Sequence, residues 1–177
     1  VNVNWYEAKA FCDWLGLRLP TEAEWEKAAG WDGNNTRVFP YGNDFIANGQ
    51  NANDNCPGDN FVFTCPVWQE FKRADGTKGP QTYWGCYNMT GNVWEWTADW
   101  YGPYSDEYQV NPTGPESGDK RVLKGGSYKS LEYIVDNRNA ARFAWVPDFY
   151  SWGEVGFRVC ASNLPIPGDF DDDEDVD

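Results

Sequence analysis

The sequence predicts an α+β domain with two N-terminal helices, long ordered loops and short antiparallel strands. Three observations carry this prediction. Two segments near the N terminus show helical spacing behind capping signals. The stretch from Asp32 to Gly85 shows no period, and segments beyond it alternate as strands do.

The first helix reads from "NWYEAKAFCDWLG". Asn4 caps it with Glu7 three residues on, Ala8, Phe11, Cys12 and Leu15 share one face, and Gly16 stops it. The second reads from "LPTEAEWEKAAGW", with Thr21 and Glu24 as a capping box, Trp25, Ala28 and Ala29 inward, and Gly30 as terminator. Between Asp32 and Gly85, Asn, Asp, Gly and Pro dominate. Phe39, Tyr41, Phe45, Phe61, Phe63, Trp68 and Phe71 are spread through it, which favours ordered loop over disorder. Such loops need something to hold them. "VWEWTADWY", "RVLKGGSY" and "VGFRVCAS" then read as strands, and no internal repeat is visible.

At 177 residues the chain can bury one sizeable core. Residues 1–165 are assigned to that domain and residues 166–177 to an acidic tail. The run "DFDDDEDVD" has no apolar face and reads as solvated, with a cation-binding strip as the alternative. With 11 Trp, 10 Tyr and 10 Phe, large rings are expected to fill the core. The net charge of −14 opposes nucleic-acid phosphates. No run of about 18 apolar residues spans a membrane, and no signal peptide is visible.

The cysteines Cys12, Cys56, Cys65, Cys86 and Cys160 lack zinc spacing. Cys56 with Cys65, and Cys12 with Cys160, are the two candidate bridges. Histidine is absent. That removes Ser-His-Asp and Cys-His catalysis, His-ligated zinc, and iron held by two His and one carboxylate.

Several motifs, in order, resemble the formylglycine-generating-enzyme (sulfatase-modifying-factor) family, which has a C-type-lectin-like fold. They are "RLPTEAEWEKAA" (Arg18 to Ala29), "YNMTGNVWEWTADWY" (Tyr87 to Tyr101), "RVLKGGSY" (Arg121 to Tyr128), "AAR" (Ala140 to Arg142), "PD" (Pro147 and Asp148) and "GFRV" (Gly156 to Val159). They span nearly the whole chain.

The resemblance implies two structural calcium sites that pin the long loops. In "NMTGNVWE" the matching positions are Asn88 by its side-chain oxygen, Gly91 and Val93 by carbonyls, and Glu95 by its carboxylate. All are hard oxygen donors, which suit calcium; a capped turn with Glu95 merely solvated is the alternative. The second site would use Asn53, the carbonyl of Asp54, Asp59 and the carbonyl of Phe61. Loop lengths differ upstream of Asp59, so Asn51 or Asn48 are alternatives to Asn53, and a plain loop is the rival reading.

The catalysts of this family oxidise a substrate cysteine with oxygen, using two cysteines that bind copper(I). The matching positions lie three and eight residues after Ser127 and are Ser130 and Val135. Neither is a thiol, and no cysteine occurs between Cys86 and Cys160. Catalysis of the family reaction and copper binding are therefore not expected. Related ergothioneine-pathway enzymes hold iron with histidine, which this chain lacks.

What remains is a segment, Lys129 to Val155, rich in Trp, Tyr, Phe, Asn and Ser without strand or helix period. One reading makes these rings core. The other makes them a paratope-like surface, since rigid aromatics give contact area at low entropy cost. The arrangement resembles the variable proteins of diversity-generating retroelements, several of which share the lectin-like fold. Their mutagenesis acts on template adenines and turns Asn codons into a restricted set that excludes Trp. By that rule Tyr133, Ile134, Val135, Asp136, Asn137, Asn139, Phe143, Ala144, Val146, Phe149, Tyr150 and Ser151 are candidate variable positions. Trp145 and Trp152 would be ligand-contacting positions that are fixed or differently encoded.

The expected function is a non-catalytic ligand-binding domain displaying that surface on a calcium-stabilised scaffold. The alternatives are a formylglycine-generating oxidase acting on a substrate cysteine and a structural subunit of a larger assembly. The expected partner is a protein or cell-surface ligand, with carbohydrate as the other candidate. The expected state is a monomer at a cell or virion surface.

Overall fold

The computed structural model describes residues 1–44, 52–53, 61–72, 76–79, 82–130, 137–150 and 153–162. Helices α1 (Trp5–Trp14) and α2 (Glu22–Gly30) both start at complete capping boxes. Glu7 N–H donates to Asn4 Oδ1 at 2.9 Å and Asn4 N–H to Glu7 Oε2 at 3.1 Å. The Thr21 and Glu24 pair closes likewise at 3.2 and 2.8 Å. Each box satisfies donors that the first turn leaves orphaned.

Strands β1 (Phe71–Lys72) and β2 (Lys78–Gly79) form a small antiparallel hairpin. They lie within the stretch that shows no sequence period, because two-residue strands are too short to leave an alternation. The main sheet contains β3 (Trp94–Trp100), β4 (Arg121–Lys124), β5 (Phe143–Trp145) and β6 (Val155–Phe157), in the order β5-β4-β3-β6. The β3–β4 and β4–β5 ladders are antiparallel, but β3–β6 is parallel. That one ladder departs from the antiparallel expectation. The chain reaches β6 by crossing from the opposite edge of the sheet, and a crossover rather than a hairpin delivers a parallel strand. The two ends of the domain meet here: Asn2 N–H donates to the Val155 carbonyl at 2.8 Å, and Arg18 pairs with Cys160.

Alternation along β3 gives the sheet two different faces. On one, Trp94, Trp96, Leu123 and Val155 pack with Trp5, Ala8, Cys12 and Leu19. Phe11 and Leu15, expected on the inner face of α1, are exposed. The buried stripe is instead Trp5, Ala8 and Cys12, because the Trp5 indole reaches under the sheet and donates to the Thr97 carbonyl at 2.8 Å. On the other face Glu95 and Lys124 meet α2, beside a second cluster of Trp25, Ala29 and Met89 with Ala28 packed against it.

Cys12 and Cys160 are free thiols rather than the bridge their positions allowed. Cys12 turns into the helix–sheet core while Cys160 sits on the Arg18 edge. Cys56 and the acidic tail lie outside the described residues. Among the described residues no helix is long and apolar enough to cross a membrane.

Candidate functional site

The 88–92 loop docks onto the turn after β4. Gly91 N–H donates to the Gly125 carbonyl at 2.8 Å and Tyr128 N–H to the Asn92 carbonyl at 3.0 Å. Gly91 has a φ of 71°, and a Cβ there would meet the Asn53 carbonyl oxygen at 2.2 Å, so only glycine fits. Asn92, which no reading of the motif singled out, is the clamp of this region. Its N–H donates to the Asn53 carbonyl at 2.7 Å, and its Oδ1 accepts from Cys65 N–H at 2.9 Å.

Asn88, Val93 and Glu95 border one cavity of about 370 Å³, with Cys65, Asn92 and Arg158. Asn88 is buried, and its Nδ2 donates to the Pro66 and Val67 carbonyls at 3.1 and 3.2 Å. Glu95 is far from solvated. Its carboxylate accepts from Arg158 Nε and Nη2 at 2.5 and 2.7 Å and from Trp25 Nε1 at 2.6 Å. Arg158 lies inside the quoted "GFRV" motif, yet nothing local in the sequence pairs it with Glu95.

The second set of expected donors adjoins the first, since Asn53 bridges Gly91. Asn53 is fully buried; its Nδ2 donates to the Phe63 carbonyl at 2.8 Å, while its Oδ1 has no hydrogen-bond partner among the described residues. A buried, unmet amide oxygen is a group that a hard cation can satisfy. Phe61 is half-buried, and Asp54, Asp59, Asn48 and Asn51 lie outside the described residues.

At the position matching the family's first copper cysteine, Ser130 is buried. Its Oγ accepts from Ser127 N–H at 2.8 Å, and its N–H donates to the Ser127 carbonyl at 3.0 Å. The hydroxyl closes a turn. Val135 lies outside the described residues.

The candidate ligand surface divides. Phe143, Val146 and Tyr150 are exposed, while Ala144, Trp145 and Phe149 are half-buried. Trp145 and Phe149 stack at 3.8 Å between ring centroids, and Trp145 also packs against the α1 core. The turn after β5 is moored to α1: Trp5 N–H donates to the Pro147 carbonyl at 2.9 Å, and Tyr150 Oη donates to Glu7 Oε1 at 2.6 Å. The Tyr150 and Asn4 hydrogen bonds hold the Glu7 carboxyl below its ordinary range. Asn137 and Asn139 are corrections to the expected surface, being 1% and 4% exposed. Asn139 Nδ2 donates to the Arg37 carbonyl at 2.9 Å, so it knits loops together rather than facing outward. Tyr133, Ile134, Val135, Asp136, Ser151 and Trp152 lie outside the described residues.

The arginine of "AAR" has a different task. Arg142 grips the buried Glu22 carboxylate through Nε and Nη2, both at 2.7 Å, and stacks on Tyr101 and Tyr104. Asp99 beside them accepts from Glu22 N–H at 2.7 Å, and burial pushes its carboxyl up to about 6.

The sulfatase-modifying factor enzyme 1-like domain profile matches residues 1–163. The chain belongs to this family. Among its relatives, the formylglycine-generating enzyme of Bos taurus is 41% identical, over 95% of this chain and 45% of that protein. The mouse protein named inactive C-alpha-formylglycine-generating enzyme 2 is 36% identical, over 94% of this chain and 50% of that protein. The chain thus spans about half the length of the curated relatives it matches. Among solved structures, Treponema denticola variable protein 1 superposes with a TM-score of 0.73 at 25% identity, covering 89% of this chain and 69% of that one. The fold of this family member is C-type-lectin-like, as its motifs implied.

Proposed function

We propose that the chain is a non-catalytic ligand-binding domain of the sulfatase-modifying-factor family. One observation carries the reading. Where a family catalyst needs its first copper thiolate, this chain has the turn-closing hydroxyl of Ser130, and no cysteine lies between Cys86 and Cys160. A hydroxyl that already accepts a hydrogen bond is a poor ligand for a soft ion. The relative named inactive and the likeness to a variable protein support this reading, whereas identity to the formylglycine-generating enzymes favours the oxidase alternative.

The binding surface in this proposal is the β5 edge and the turn after it, where Phe143, Val146 and Tyr150 offer exposed contact area. Trp145 and Phe149 stiffen them from below. Tyr133, Ile134, Val135, Asp136, Ser151 and Trp152 complete the surface on sequence grounds alone. The preferred ligand is a protein or cell-surface molecule. Calcium would be held by Asn88, Gly91, Val93 and Glu95, and by Asn53 with Asp54, Asp59 and Phe61. Its role there is to hold loops in place.

Incubation with copper(I), oxygen and a CxPxR peptide tests the central point. The expected result is no formylglycine by mass spectrometry; stoichiometric conversion would overturn the proposal. Chelation is expected to lower the melting temperature by roughly 5–10 °C if calcium was present near a hundredfold above its dissociation constant.

A further inference from the structure

A second concave region lies between α1, α2 and the start of β4. Its volume is about 770 Å³, within the range of roughly 300–1,000 Å³ usual for small-molecule sites. Its charge is unexpected. Lys9, Arg18, Lys27 and Arg121 line it against the single carboxylate of Glu24, in a chain whose net charge is −14.

Arg121 is the centre of this cluster. Its guanidinium is clamped between the Trp5 and Trp100 rings, at 3.8 and 3.4 Å from their centroids. Of its five N–H donors, Nη1 serves the Ala98 carbonyl, while Nε is buried without a partner among the described residues. No carboxylate among the described residues forms an ion pair with it; burial pushes its pKa down, and the more distant Asp99 offsets this only in part. Arginine does not discharge in compensation, so its charge stays poorly matched. Lys27, exposed on the last turn of α2, also has no ion-pair partner among the described residues. Lys9 and Arg18 are bridged to Asp13 and Glu24 in solvent-exposed pairs, and the Arg18 fork is bidentate on Glu24.

A fixed guanidinium with spare donors, flanked by solvent-exposed cations and an indole wall, matches one ligand chemistry. The geometry points to an oxyanion site in this cavity, taking the phosphate or sulfate ester group of a small organic ligand. The ester group meets Arg121 and Lys27, and the organic body lies along the apolar lining that Leu19, Ala98 and Pro112 share with the Trp5 edge.

Proton–nitrogen correlation spectra recorded during titration with phenyl phosphate, phenyl sulfate and phenol test the site. Saturable shifts at the Ala98 and Arg121 amides with an ester, and none with phenol, are the expected result. A stronger response to one ester identifies it as the preferred group. Lys27→Gln, at an exposed helix position that should not disturb folding, is expected to weaken binding about fivefold. Arg121→Met should abolish it; if that chain fails to fold, Lys9→Gln/Lys27→Gln takes its place and should weaken binding further than Lys27→Gln alone. No saturation by about 10 mM ester, equal shifts with phenol, or unchanged binding by Lys27→Gln would each overturn the site.

Discussion

On one side of β3, Trp94 and Trp96 sit among the apolar side chains of Trp5, Ala8, Cys12, Leu19 and Leu123, with the Arg121 guanidinium stacked on Trp5 at the margin. On the other, one residue along, Glu95 meets Arg158 and Trp25, while Lys124, fully buried, meets Glu26 at 2.6 Å. The apolar face gains from non-directional burial and tolerates any filling of similar shape. The ionic face has no such latitude. Each buried charge is acceptable only while its partner remains, and desolvation already pushes the Lys124 amine down against the pull of Glu26. The 88–92 loop with its expected calcium donors is rooted on this second face through Arg158, so its position depends on pairs, whereas the turn after β5 rests on the apolar face.

The contrast can be broken most severely at Arg158. Arg158→Met leaves the Glu95 carboxylate buried and is expected to cost about 3–5 kcal/mol in urea unfolding, or to prevent folding. Adding Glu95→Gln should recover part of that loss; no recovery would show that Arg158 acts by packing alone. On the apolar face Trp96→Ala is expected to cost a comparable 3–5 kcal/mol, roughly, by opening a cavity. Leu123→Met, which keeps volume, should cost less than about 1.5 kcal/mol, and a larger loss would deny that face its tolerance.

A smaller effect concerns pH. Asp99, normally near 3.8, is raised to about 6 in the fold. The folded state therefore holds this proton more tightly than the unfolded chain. The stability it contributes is complete below about 3.8 and is lost as pH rises through about 6. Asp99→Asn should flatten that part of the stability–pH curve, and an unchanged slope would place the titration elsewhere. The smallest expected change is at a helix end. Thr21→Ala should cost about 1 kcal/mol, because only the hydrogen bond from Glu24 N–H to the Thr21 hydroxyl is lost.

Both capping boxes, the alternation of β3 and the missing thiols could be read directly from the chain. The reason is that each is local: a cap spans three residues, a strand repeats every two, and a cysteine is present or absent. Tertiary structure alone decided the rest. Arg158 reaches Glu95 across 63 residues, and Arg142 reaches Glu22 across 120. The same long-range assembly exposed Phe11, buried Asn137 and Asn139, and set β6 parallel to β3. Asparagine and phenylalanine carry no local signal for which way they will face. Burial is settled by which distant segment arrives beside them, and only the closed fold supplies that neighbour.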